Sequence, residues 1–206
     1  MEKSYQERGI CLQTMLIVLF LILIAYQMMR YIQVLVKMRK KVIFPVEEKD
    51  IMAFRKHPVR PVLRPTYKDQ KNGIIIYGVF LLFILAFFIY TVSLENWPLL
   101  LTPAISLLYL HNLFNMFSIV NDGLLVGGRF VHWKDIKSYQ FKPIDIDHRF
   151  YGHTKEVNEA GYELVFNRRL FSSYCIVISE ETKEKITEIL REYGKVAEEP
   201  LKPQEA

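Results

Sequence analysis

Two cysteines in 206 residues are too few for a disulfide framework or a cysteine-rich metal site. Cys11 and Cys175 both read as small buried hydrophobes. There is no glycine-rich phosphate loop, no nucleophile elbow and no HExxH pair, so the sequence offers none of the familiar nucleotide-dependent or hydrolytic sites. Charge is missing in blocks. Residues 10–29 and 73–94 carry none, and in residues 98–120 His111 is the only side chain that titrates near neutral pH. Small residues are also missing where a signal peptidase would need them: the first block leaves through Tyr26-Gln27-Met28-Met29-Arg30-Tyr31, so it is expected to stay on the protein as an anchor.

What is present explains an overall composition of 51% hydrophobic and 24% charged residues. Each of the three blocks exceeds the roughly 18 residues that a hydrocarbon core requires. The expected fold is therefore a membrane protein with three transmembrane α-helices, at residues 10–29, 73–94 and 98–120, followed by a small α+β domain at 121–195 and a disordered tail at 196–206. Residues 30–72 form a basic loop with twelve Lys and Arg against four Asp and Glu. Such a loop stays on the cytosolic side, which predicts an external N-terminus and a cytosolic C-terminal domain at the cell membrane. The net charge of +5 is not a nucleic-acid signature, because residues 121–206 hold thirteen basic against fifteen acidic side chains. Contact with anionic lipid accounts for the loop.

Within the third block His111, Asn115 and Ser118 recur at helical spacing with Asn112 beside them, which predicts one polar face inside the membrane. An ionisable residue there raises the idea of an ion or proton path. No acidic or basic partner occurs in any of the three blocks, so hydrogen bonding between helices is the preferred reading.

The polar part of the chain reads as strands first and one helix last. Residues 124–126 and 129–133 flank Gly127-Gly128, a two-residue hairpin signal, because glycine tolerates the positive φ of primed turns. Further strands are expected at 137–141, 162–166 and 174–178, with a shorter one at 144–146. Ser179 is placed to cap a helix whose apolar stripe is Ile186, Ile189, Leu190 and Tyr193, and Gly194 to end it. Asp145, Asp147, His148 and His153 gather metal-ligand chemistry in nine residues, but their spacing fits no established motif, and no metal site or cofactor is assigned. The turn after 166 sets Arg168 and Arg169 beside Phe171, chemistry suited to headgroup phosphates or an acidic partner.

The passage from Gly123 to Ile136, with Gly127-Gly128 at its turn and Trp133-Lys134-Asp135-Ile136 at its end, resembles the pleckstrin-homology-like domains that bacterial membrane proteins carry on their cytosolic side. That resemblance implies a barrel-like sheet closed by a C-terminal helix, binding of lipids or proteins, and no catalytic residues. The expected function is a membrane-anchored interaction domain, an adaptor or scaffold and not an enzyme, with lipids and a protein partner at the inner surface and self-association as a further option. The alternative is a small oligomeric transporter or channel subunit using His111, Asn112 and Asn115.

Overall fold

The computed structural model describes residues 2–94, 97–168 and 172–198. In chain order these form α1 (Glu2–Lys37), β1 (Val42–Phe44), α2 (Glu48–Ala53), β2 (Phe54–His57), β3 (Arg60–Pro61), α3 (Lys71–Ser93) and α4 (Leu101–Tyr109). There follow β4 (Phe117–Val120), β5 (Gly123–Val126), β6 (Arg129–His132), β7 (Ile136–Pro143), α5 (Lys155–Ala160), β8 (Tyr162–Arg168), β9 (Ser173–Val177), α6 (Glu180–Glu192) and β10 (Val196–Ala197).

Long charge-free runs without proline let α1 and α3 continue unbroken. Leu12–Lys37 and Lys71–Ser93, with mean hydropathies of 2.1 and 2.6, are long and apolar enough to cross a membrane. Only 17% and 28% of their apolar windows are buried, which is not how a core helix of a water-soluble fold is placed. Leu19, Ile22, Met29, Val79, Leu82 and Phe83 point outward. The two helices pack through stacked rings, Phe20 on Phe88 at 5.8 Å and Tyr31 on Tyr77 at 4.7 Å between centroids.

The third block is not a continuous helix. A 3-10 turn at Trp97–Leu100 leads into the nine residues of α4, and a second at Leu110–Leu113 follows. Nine α-helical residues reach about 14 Å, half of a hydrocarbon core of about 30 Å. The three pieces, α4 and its two flanking 3-10 turns, follow one another without a break. They run back along α3: a Cβ on Gly73 would lie 2.8 Å from the Leu113 carbonyl oxygen, and the Phe114 ring sits 5.9 Å from that of Tyr77. The end of the predicted span, residues 117–120, is strand β4 instead. Its apolar side chains face two cores at once, Phe117 and Ile119 on one side and Val120 on the other. A strand buried on both faces gives an unbroken apolar run that periodicity does not separate from a helix.

Two sheets make up the rest. One has the order β1-β4-β5-β6, all antiparallel, and the other the order β10-β7-β8-β9-β2-β3. They share a core in which Phe54 stacks on Phe117 at 4.4 Å and Phe117 on Phe166 at 6.3 Å. The segment read as a basic loop is thus part of the domain: β1 pairs with β4, β2 pairs with β9, and Phe44, Ile51, Phe54 and Val62 enter the core. Three strands of two to four residues interrupted by prolines carry too little alternation to be recognised locally. The other face of the four-stranded sheet, including Leu125 and Phe130, packs with Val34, Met38 and Tyr77 of the long helices.

The hairpin at Gly127-Gly128 forms as expected, with Val126 opposite Arg129 and Gly127 at φ 55°. Ser179 caps α6 by accepting from the Thr182 amide at 3.4 Å, and Ile186 and Leu190 close the shared core. Trp133 stacks on Tyr193 at 4.3 Å, while Lys195 Nζ donates to the carbonyls of Trp133 and Ile136, so the end of the helix is fastened to the turn before β7. Residues 144–146 are not a strand: the chain turns there toward α5, whose cap is Thr154. Part of the predicted tail is ordered, since Val196–Ala197 lies parallel to β7 and the Glu198 amide donates to the Tyr139 carbonyl at 2.7 Å.

Candidate functional site

One face of α1 carries Leu23, Tyr26, Gln27, Arg30 and Gln33, spaced at i, i+3, i+4, i+7 and i+10. Gln27 is buried and fully used: its amide nitrogen donates to the Leu107 carbonyl at 2.7 Å, and its oxygen accepts from the Tyr77 hydroxyl at 3.2 Å. A polar side chain buried among three helical segments is thereby satisfied and holds α4 against α1. One helical turn on, the Arg30 guanidinium lies 5.5 Å from the Tyr26 ring centre and donates to the Gly128 carbonyl at 3.4 Å. Two turns further, Lys37 pairs with Asp122 and covers the Phe130 ring at 4.3 Å, and Lys40 reaches the same carboxylate at 3.2 Å. The β5–β6 hairpin therefore lies along the last part of α1, its glycine tip beside Arg30.

That apposition leaves a cavity of about 640 Å³ between α1, the end of α4 and the sheets. Arg30 enters it from α1, Arg129 from the first position of β6 and Arg168 from the last position of β8. Leu23, Tyr26, Tyr109 and Phe130 make its apolar walls, and Asp135 is the one carboxylate among its lining residues. Burial lowers the pKa of the Arg129 and Arg168 guanidiniums, and the positive charge of Arg30 lowers both further. Three cations converging in a partly desolvated space favour an anion there.

Of the residues singled out from sequence, Arg168 lies in this cavity. Arg169 and Phe171 fall outside the described residues. Arg30 and Arg129 were missed as site residues; their signals were slight, the first charge after the first apolar block and the first residue after the Gly-Gly turn. The third block is not one continuous helix, so His111, Asn115 and Ser118 do not share a helical spacing along it. Asn112 is exposed within the second 3-10 turn, Ser118 is buried in β4, and the side chain of His111 lies outside the described residues. Asn115 instead fastens the connecting segment: its Nδ2 donates to the Pro61 carbonyl at 2.7 Å, and its own carbonyl accepts from the Leu63 amide at 2.8 Å and from Gln70 Nε2 at 3.2 Å.

A second cavity, of about 600 Å³, lies on the outer face of the six-stranded sheet. Its buried carboxylate, Glu163, is paired with Arg149 and lies 3.0 Å from His148 Nε2, so His148 serves an internal pair. Among the described residues no group of three or more His, Cys, Asp or Glu side chains could hold a metal ion. Cys175 is fully buried, and burial pushes its thiol pKa up, which disfavours the reactive thiolate. Lys56, only 5% exposed, sets its ammonium 3.9 Å from the Tyr174 ring centre, and burial brings its pKa down to about 8. The folded protein then releases this proton before the unfolded chain does. Stability should rise by on the order of 2 kcal/mol as pH climbs from about 8 toward the ordinary lysine value of 10.5. Urea unfolding of the wild type and of Lys56→Met at pH 7.5 and pH 10 measures this; equal pH slopes in the two proteins would remove lysine burial as the cause.

No curated protein and no solved structure matches the chain. A family model does match over residues 115–195, that of a domain of unknown function, DUF5673, which begins beside β4 and leaves out β1, β2 and β3.

Proposed function

We propose that this chain is a membrane-anchored interaction module, not an enzyme, that binds an anionic group at the inner membrane surface through the cavity of Arg30, Arg129 and Arg168. In this reading α1 and α3 cross the membrane, and residues 97–113 return the chain to the side from which α3 started. The basic segment 30–72 keeps that side cytosolic. Its strands pair with β4 and β9, which supports a cytosolic side for the sheets, and a single crossing by α1 then leaves the N-terminus outside in this reading. Two sheets around one core, antiparallel except for the short β10–β7 pair, with α6 packed into that core, also suit a pleckstrin-homology-like domain.

The observation that carries the reading is that the cavity is built jointly by an apolar helix and the sheets. A free-standing binding domain would not need α1 in its wall, and a plain anchor would not need two sheet arginines beside it. Purification of the full chain from native membranes in mild detergent, with quantitative analysis of co-purifying lipid and protein, tests this. The wild type should retain an anionic component that Arg129→Gln/Arg168→Gln loses while eluting at the same size. Identical co-purifying material from both proteins would refute the role of the cavity.

A further inference from the structure

We infer that the anion taken by the three-arginine cavity is the phosphate of an anionic glycerophospholipid, which enters sideways from the bilayer with its acyl end toward Leu23. The inference rests on the interaction-module reading above and narrows it to one ligand class. Its basis is the direction in which the cavity runs. Leu23 and Gln33, both in the lining, lie ten residues apart on one face of α1, about 15 Å along the helix axis. Leu23 is inside the charge-free block and Arg30 is the first charge beyond it, so the same cavity begins among hydrocarbon-facing side chains and ends among guanidiniums.

A free phosphate or an acidic peptide would use the charged end and leave the apolar end empty. A phospholipid uses both. Tyr26 and Tyr109 stand between the two ends, each exposed and each with an apolar ring and a polar tip, as suits the boundary between acyl chain and headgroup. Arginine matches a phosphate through paired N–H donors, and three of them from three separate elements surround one anion without needing to move as a unit. Asp135, the one carboxylate against three guanidiniums, leaves an excess of positive charge in the lining and adds an acceptor for a headgroup hydroxyl. A net-negative lipid with a hydroxylated headgroup, such as phosphatidylglycerol, should therefore be preferred to phosphatidylcholine.

The test is native mass spectrometry of delipidated full-length protein in detergent, titrated with phosphatidylglycerol, phosphatidylcholine, or inorganic phosphate. Wild type should bind phosphatidylglycerol at least about tenfold more tightly than phosphatidylcholine, and Arg129→Gln/Arg168→Gln should lose that preference. Lys155→Gln, on α5 and outside the cavity, should keep it. Leu23→Trp, which fills the apolar end, should weaken phosphatidylglycerol alone. If inorganic phosphate competes as strongly as the lipid and Leu23→Trp changes nothing, the ligand is a soluble anion: the lipid assignment falls and the anion site stands. If the arginine variant binds every probe as the wild type does, both fall. Equal elution volume and helical circular dichroism in all variants exclude misfolding as the cause.

Discussion

A fragment limited to residues 115–195, the extent of the family match, is expected to remain unfolded when expressed alone. It keeps β4 to β9 and α6 but loses β10 and the segment that holds β1, β2 and β3, and with that segment Phe44, Ile51, Phe54 and Val62 from the shared core. Phe54 is completely buried and contacts both Phe44 and Phe117. Removal of one such ring costs about 3–5 kcal/mol, and a whole domain is stable by only about 5–15 kcal/mol, so the loss of four core residues and four strands exceeds the margin. The fragment also exposes Leu125 and Phe130, which the long helices cover in the intact chain. Circular dichroism and amide proton dispersion should show an unfolded or aggregated fragment. Joining residues 42–62 to it through a flexible linker should restore strand signal. A cooperative thermal transition in the bare fragment would mean that the connecting segment decorates a fold that is complete without it.

Gly123→Ala should be the most damaging single-methyl addition in the protein's strands. A Cβ there would lie 2.0 Å from the Val131 carbonyl oxygen and 2.9 Å from the edge of the Phe130 ring. The first neighbour is backbone inside the β5–β6 ladder and does not rotate away, so the hairpin must separate where it starts. A loss on the order of 4 kcal/mol or more is expected, the size reserved for overpacking at a site that does not relax. Gly152→Ala provides the comparison. Nothing lies within 4 Å of its Cβ position, and its φ of +84° costs only about 1 kcal/mol. Urea midpoints of the two variants in the full chain measure the difference. Similar midpoints would show that β5 and β6 separate easily. Because this hairpin carries Arg129 and its tip meets Arg30, its loss should also abolish anion binding.

The sequence by itself determined the features that depend on neighbouring residues. Long charge-free blocks specify α1 and α3, because over 20 or more residues no other structure satisfies so apolar a backbone. Gly127-Gly128 specifies its hairpin through tolerance of positive φ, and Ser179 specifies the start of α6 by capping an otherwise orphaned amide. Arg168 was singled out as part of a basic turn next to apolar side chains, and the structure puts it at the end of β8, lining the cavity. Only the tertiary structure decided how distant segments meet. Residues 98–120 look like one membrane span until the sheets show that their last four residues are covered on both faces. The strands between α1 and α3 are too short to be seen before β4 and β9 pair with them. Arg30, Arg129 and Arg168 belong to one cavity because the hairpin lies against α1, and no spacing in the chain encodes that meeting. Helix and turn signals are local energies that a few residues express alone, whereas strand pairing and cavity formation depend on contacts that exist only after the chain has closed on itself.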